Sequence, residues 1–168
     1  MKKLSLILGL AEFCLTGIAQ EKITLENVLE DISKTQIFEL KKYSSYATSN
    51  QDLIIRDNTL HLIVPFDFDG NKIPEAIAAF KVYKKGGVYS ALYLEKKANR
   101  VIIDNNNDKI MEFIYDDSNS DGYLESLYED KDSDGIRETL SQDWNYDKDY
   151  EKKFIFNKET EKYEELKE

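Results

Sequence analysis

The chain has 168 residues, 41% of them apolar, with 11 Tyr and 8 Phe, which is enough for one domain with a modest core and excludes wholesale disorder. Its formal charge of −10 excludes nucleic acid as a natural partner. The charge is uneven: residues 101–151 hold 16 Asp and Glu against 4 Lys and Arg, so the rest of the chain sums to +2.

The N-terminus opens with Met1-Lys2-Lys3, then a mostly apolar run from Leu4 to Ile18, with small residues at Gly17 and Ala19. This pattern, interrupted once by Glu12, predicts a signal peptide over residues 1–19 and export from the cell. Ala11-Glu12-Phe13 put a charge and a ring where a lipoprotein signal needs small residues, so no lipid anchor is expected at Cys14. Cys14 is the only cysteine, and the domain from residue 20 onward therefore has no thiol for a disulfide or for chemistry. No later stretch is long and apolar enough to span a membrane.

Residues 23–42 read as helical, with Thr24 as cap and Leu25, Val28, Leu29 and Ile32 at helical spacing, and with Ile37, Phe38 and Leu40 either extending this stretch or beginning a second turn. Residues 43–52, small and polar, read as a loop. "LIIRDNTLHLIVPF" predicts two strands joined near Asp57-Asn58, and "AIAAFKVYKKGGVYSALYLEKK" a second hairpin turning at Lys85-Gly86-Gly87. "KFIFNKETEKYEEL" predicts a third hairpin turning near Lys158-Glu159-Thr160. The expected fold is mainly β, of the α+β kind: an N-terminal helix, antiparallel hairpins, and short strands joined by acidic loops.

The acidic segment is a repeat. Asp117-x-Asn119-x-Asp121-Gly122-x-x-Glu125 and Asp130-x-Asp132-x-Asp134-Gly135-x-x-Glu138 stand 13 residues apart. Two looser copies keep the phase: Asp104, Asn106, Asp108 and Glu112, then Asp143, Asn145, Asp147 and Glu151. A fifth lies upstream, with Asp67, Asp69, Asn71 and Glu75. The shared form is D-x-[DN]-x-[DN]-[GK]-x-x-E.

Calcium takes six to eight oxygens at about 2.3–2.6 Å, and a tight loop can aim short side chains at positions 1, 3 and 5 toward one point. Gly at position 6 permits the positive φ of a sharp turn. The carbonyl of position 7 (Tyr123 and Ile136 in the two full copies) then faces the ion, and the longer Glu at position 9 closes the shell. An all-oxygen set favours a hard cation over zinc or copper, and the loop suits calcium better than strictly octahedral magnesium. Lys109 and Lys148 at position 6 are expected to strain their turns and to bring positive charge near the site. Apolar residues at positions 7 and 11 are expected to share one face of a strand with the Glu at 9.

An EF-hand needs an acid at position 12, which here is Ala78, Tyr115, Tyr128, Ser141 and Phe154. The closing acid at position 9 instead resembles the calcium loops of integrin-type FG-GAP and VCBS repeats, and the tandem run resembles thrombospondin type 3 repeats. The resemblance covers residues 67–75 and 104–151 and does not extend to a propeller, for which the chain is too short. It implies calcium-loaded loops joining β-strands in a secreted protein.

Other chemistry is thin. His61, the only histidine, reads as a strand residue, and Trp144 as a packing residue. No nucleophile elbow, P-loop or zinc motif is present, and no enzymatic activity is expected. The sequence therefore points to a secreted calcium-binding protein whose ions stabilise a module for binding or adhesion to an extracellular protein or glycan. The alternative is a metal-independent acidic module that captures or inhibits a basic protein.

Overall fold

A computed structural model of the protein describes residues 22–56, 59–85 and 88–167; the expected signal peptide lies outside the described residues. Helix α1 spans Leu25–Thr35. Thr24 caps it by accepting from the Asn27 N–H while the Asn27 side chain accepts from the Thr24 N–H, a reciprocal pair that satisfies two orphan donors. Val28 and Ile32, one helical turn apart, are its buried face. The helical stretch read over 23–42 is broken at Gln36, which adopts a left-handed conformation (φ 55°). A four-residue helix α2, Leu40–Tyr43, and a short 3₁₀ turn at Ser44–Tyr46 follow. Tyr43 and Tyr46, read as loop residues, instead join the aromatic core: Tyr43 is buried against Phe38, and the Tyr46 ring meets Phe68.

Among the described residues, ten strands form one antiparallel sheet. They are β1 Asp52–Arg56, β2 Thr59–Phe66, β3 Ala76–Lys85, β4 Val88–Leu94 and β5 Arg100–Ile103. Then come β6 Phe113–Asp116, β7 Ser126–Glu129, β8 Thr139–Gln142, β9 Lys152–Asn157 and β10 Lys162–Glu165. The three hairpins read from the sequence are β1–β2, β3–β4 and β9–β10. The order across the sheet is β1-β2-β3-β5-β6-β7-β8-β9-β10, with β4 also on β3. Strands β4 and β5 lie along the same side of β3, one after the other. Between them, residues 95–99 lean out to the helical layer, where Ala98 N–H donates to Phe38 C=O and Leu40 N–H to Lys96 C=O.

The core sits on one face of the sheet, beneath α1 and Phe38. Leu60, Leu62, Val64 and Phe66 of β2 alternate with partly exposed neighbours, as a strand with one buried face must. Ala76, Ala78, Phe80 and Val82 of β3 and Val101 and Ile103 of β5 continue the same face. Phe38 contacts Phe66 edge-on at 5.1 Å between ring centres. No helix among the described residues is long and apolar enough to cross a membrane.

Strands β5 to β9 begin at residues 100, 113, 126, 139 and 152, so the 13-residue period is the period of the sheet. The strand occupies only the last four positions of each unit. Position 7 therefore lies in the loop, not on the strand face: Ile73, Tyr123 and Ile136 are exposed. Position 11 does not keep one face either. Each strand runs opposite to the last, and a directly paired neighbour of position 11 is position 12: Ile114 pairs with Tyr128, and Leu127 with Tyr115. Ile114 and Leu140 thus point to the face opposite the main core while Leu127 points to the core side, which corrects the single-face expectation. Two successive rows result. Val101, Tyr115, Leu127, Ser141 and Lys153 run along the core side and grow polar away from α1. Ile102, Ile114, Tyr128, Leu140 and Phe154 run along the other side.

Candidate metal centres

The antiparallel meander sends successive loops to opposite edges. Loops 67–75, 104–112 and 130–138 share one edge, and loops 117–125 and 143–151 share the other. Neighbouring loops on one edge are two strand spacings apart, roughly 9–10 Å. The ladder runs on into the loops: Asp104, Asp130 and Asp143 each donate their N–H, at 2.9 Å, to the carbonyl of the Glu that ends the preceding loop on that edge (Glu75, Glu112 and Glu125).

The five loops have one conformation. Position 1 accepts, through Oδ2, the N–H of position 6 at 2.8–2.9 Å: Asp67 from Lys72, Asp104 from Lys109, Asp117 from Gly122, Asp130 from Gly135 and Asp143 from Lys148. Position 3 accepts the N–H of position 5, as Asn119 does from Asp121 and Asn106 from Asp108; Asp69, Asp132 and Asn145 act alike on Asn71, Asp134 and Asp147. Position 5 accepts the N–H of position 7, as Asp121 does from Tyr123 and Asp134 from Ile136. Position 9 reaches back to the N–H of position 2: Glu75 to Phe68, Glu112 to Asn105, Glu125 to Ser118, Glu138 to Lys131 and Glu151 to Trp144. These bonds fold each loop tightly and aim the carboxylates inward. Charge-assisted bonds of this type are the stronger kind.

Two residues in every loop are left-handed. Position 6 has φ of 73°, 74° and 77° at Lys72, Lys109 and Lys148, against 89° and 88° at Gly122 and Gly135. Lysine thus takes the glycine conformation at the cost of strain rather than altering the turn. Position 4, which no single residue type marks, is also left-handed, at Gly70, Asn107, Ser120, Ser133 and Tyr146. The glycine that looks displaced in the first copy, Gly70, serves this second turn.

Carboxylate oxygens converge in all five loops to within 4.8 Å of one another: Asp67, Asp69 and Glu75; Asp104, Asp108 and Glu112; Asp117, Asp121 and Glu125; Asp130, Asp132, Asp134 and Glu138; Asp143, Asp147 and Glu151. Among the glutamates, Glu75 and Glu125 are only 5% exposed, and one oxygen of each (Glu75 Oε1 and Glu125 Oε2) has no hydrogen-bond donor; Glu138 Oε1 is the same. Burial pushes the Glu75 carboxyl up from its ordinary pKa, and the charge of Asp69 adds to it. Burial likewise raises Asp117, with the Asp121 charge adding, against the lowering effect of the N–H groups of Gly122, Ser120 and Asp121. Asp134 goes the other way, held down by the Ile136 N–H and then by Lys158, whose Nζ is 3.1 Å from its Oδ2.

Several neighbours of the loops were not legible in the sequence. Gln36, 2% exposed, donates from Nε2 to Asp143 Oδ2 at 2.6 Å, and its carbonyl accepts the Leu124 N–H at 2.7 Å. One residue at the end of α1 thereby ties down both loops of that edge. Arg100 grips Asp116 with two parallel bonds across β5–β6, so Asp116 belongs to the sheet and not to the adjoining loop. Trp144 is 62% exposed and does not pack in the core; Lys152 lies over its ring. Tyr146 and Tyr123, from adjacent loops, meet at 5.6 Å between ring centres.

Compared with known proteins, the chain matches no family model, no curated protein and no solved structure.

Proposed function

We propose that this is an exported calcium-binding protein in which ions held by the Asp/Asn-rich loops stabilise a β-sheet module for binding or adhesion outside the cell. The observation that carries the reading is the set of buried glutamate oxygens without a donor, at Glu75, Glu125 and Glu138, each inside a cluster of carboxylates. A buried polar atom left unsatisfied costs on the order of 1–3 kcal/mol, more when charged. A divalent cation answers both problems at once, supplying a partner for the orphan oxygen and cancelling the repulsion. The all-oxygen donor set, with three carboxylates or more per loop, favours calcium. The likeness of the loop to FG-GAP, VCBS and thrombospondin type 3 calcium loops rests on the same residues.

The ion acts here by folding rather than by chemistry. Each loop closes two neighbouring strands, so an ion that holds a loop also holds strand register. The exposed rings of Trp144, Tyr146 and Tyr123, on the edge formed by loops 117–125 and 143–151, offer surface for a protein or glycan partner. Calcium titration by calorimetry, paired with thermal melts in millimolar calcium and in chelator, tests the reading. A site that is 99% filled adds about 2.7 kcal/mol of stability. Coincident melts with and without calcium, and no binding heat, would overturn it; strong salt dependence of partner capture without a specific ion would favour the acidic capture module instead.

A further inference from the structure

The two ends of the sheet differ. Strand β10 ends one side with Lys162, Glu164 and Glu165, charges that discourage a further strand. Strand β1 ends the other with Asp52-Leu53-Ile54-Ile55-Arg56, where Ile54 is 41% and Ile55 72% exposed. Leu53 is partly buried against the core. The Leu53 N–H is not used on β2: it donates to the carboxylate of its own neighbour, Asp52, at 2.8 Å. Backbone groups alternate in direction along a strand, so Leu53 and Ile55 present theirs outward, while Asp52, Ile54 and Arg56 face β2.

We propose that β1 is a homodimer interface, at which a second copy of this chain adds its own β1 antiparallel about a two-fold axis at Ile54. The strand is self-complementary in this register. Leu53 falls opposite the partner's Ile55, and these are the residues whose N–H and C=O groups face away from β2 and can exchange bonds, giving four backbone hydrogen bonds across the interface in all. Asp52 falls opposite the partner's Arg56, so opposite charges meet at both ends. The Asp52 carboxylate that now covers the Leu53 N–H gives way to a ladder carbonyl and turns to that arginine. On the core side, each exposed Ile55 lies beside the partner's Leu53 and extends its buried row, since Leu53 and Ile55 share a face with Leu62 and Leu60. Shifting the register by two in either direction sets a charge against isoleucine and loses pairs. The outcome is one continuous sheet through both copies, with the loops of each arrayed along its edges. This inference does not depend on calcium.

Light scattering on the purified protein at high micromolar concentration is expected to give twice the chain mass of 19.6 kDa. Ile55→Lys, at an exposed site that leaves the fold intact by circular dichroism, is expected to give a monomer. Register is tested with cysteine in a Cys14→Ser background. Ile54→Cys places the two cysteines at a non-hydrogen-bonded pair, with Cα atoms about 4.5 Å apart, within reach of a disulfide. Mild oxidation should cross-link it nearly completely, whereas Arg56→Cys should not cross-link, because its two copies lie roughly four residues apart along the strand. A wild-type monomer at these concentrations overturns the proposal. So does a dimer that survives Ile55→Lys and fails to cross-link at position 54.

Discussion

Gln36 Nε2 lies 2.6 Å from Asp143 Oδ2, across 107 residues of sequence, and both side chains are buried. The helix end and the last acidic loop are therefore one structural unit. Gln36 adds a side-chain amide donor to the Asn145, Tyr146 and Lys148 N–H groups already on the buried Asp143 carboxylate, and its left-handed backbone turns its carbonyl to Leu124 at the same time.

Gln36→Ala removes a buried hydrogen bond to a charged carboxylate that keeps its backbone N–H donors, and is expected to cost about 1–3 kcal/mol, read as a fall of roughly 2–4 °C in Tm per kcal/mol for a domain of this size. Gln36→Glu sets a second acid against Asp143 and should cost more. Thermal melts in chelator check both, and a Gln36→Ala melt equal to wild type would remove the role assigned to this contact.

Glu125→Gln and Glu75→Gln should change sign with calcium. In chelator each substitution removes a buried charge with an orphan oxygen, so the variant is expected to be as stable as wild type or more so. In saturating calcium each loses a ligand, and affinity at that loop is expected to fall by roughly tenfold or more. Melts under the two conditions, with calorimetry, read the crossing directly.

Lys109→Gly and Lys148→Gly relieve left-handed strain and should each stabilise by about 1 kcal/mol, while Gly135→Ala should cost a similar amount. An added Cβ at Gly135 meets nothing within 4 Å, so its cost comes from backbone conformation alone. Gly122 is different: a Cβ there would come 2.9 Å from the Lys97 side chain, and Gly122→Ala should cost more than Gly135→Ala. Urea unfolding resolves these differences.

Lys158 competes with any cation at loop 130–138 through its contact with Asp134. Lys158→Gln is expected to tighten calcium binding there by a few-fold, an effect that shrinks at high salt because the pair is exposed. Unchanged calorimetric affinity at low salt would argue that the ammonium lies outside the ion's reach.

The pH dependence follows from Glu75 and Asp117. Both carboxyls are raised in the folded, ion-free protein, so the native state holds protons more tightly than the unfolded chain. Ion-free stability from these groups is present below the ordinary carboxylate pKa and is lost as pH rises through the raised folded values. Calcium should abolish that loss, and its affinity should weaken as pH falls through the same window, where protons compete for the ligands. Melts across pH 4 to 7, about the range of carboxylate titration, with and without calcium, separate the two trends.

Much of this could be read directly from residue order. The 13-residue phase of Asp104, Asp117, Asp130 and Asp143, the three hairpins and the acidic side chains of each loop are local properties. They depend on backbone preference and on spacing within nine residues, and the structure brings those carboxylates together as the spacing implies. The left-handed position 4 was also written locally, in Gly70 and the Asn, Ser and Tyr that match it, but no single residue type marks it. What residue order did not reveal depends on chain direction and on distant partners. A 13-residue unit is odd in length and reverses at each turn, so equal positions alternate between faces, which is why Ile114 and Leu127 part company. Gln36 carries no motif, and its role exists only because α1 ends above loop 143–151. Trp144 is aromatic and so reads as a packing residue, yet whether position 2 is covered depends on distant partners: Phe68 packs against Tyr43 and Tyr46 and is buried, while Trp144 carries Lys152 over its ring and is exposed. Short-range geometry set the loops; antiparallel pairing and the placing of α1 decided which loops share an edge and what holds them there.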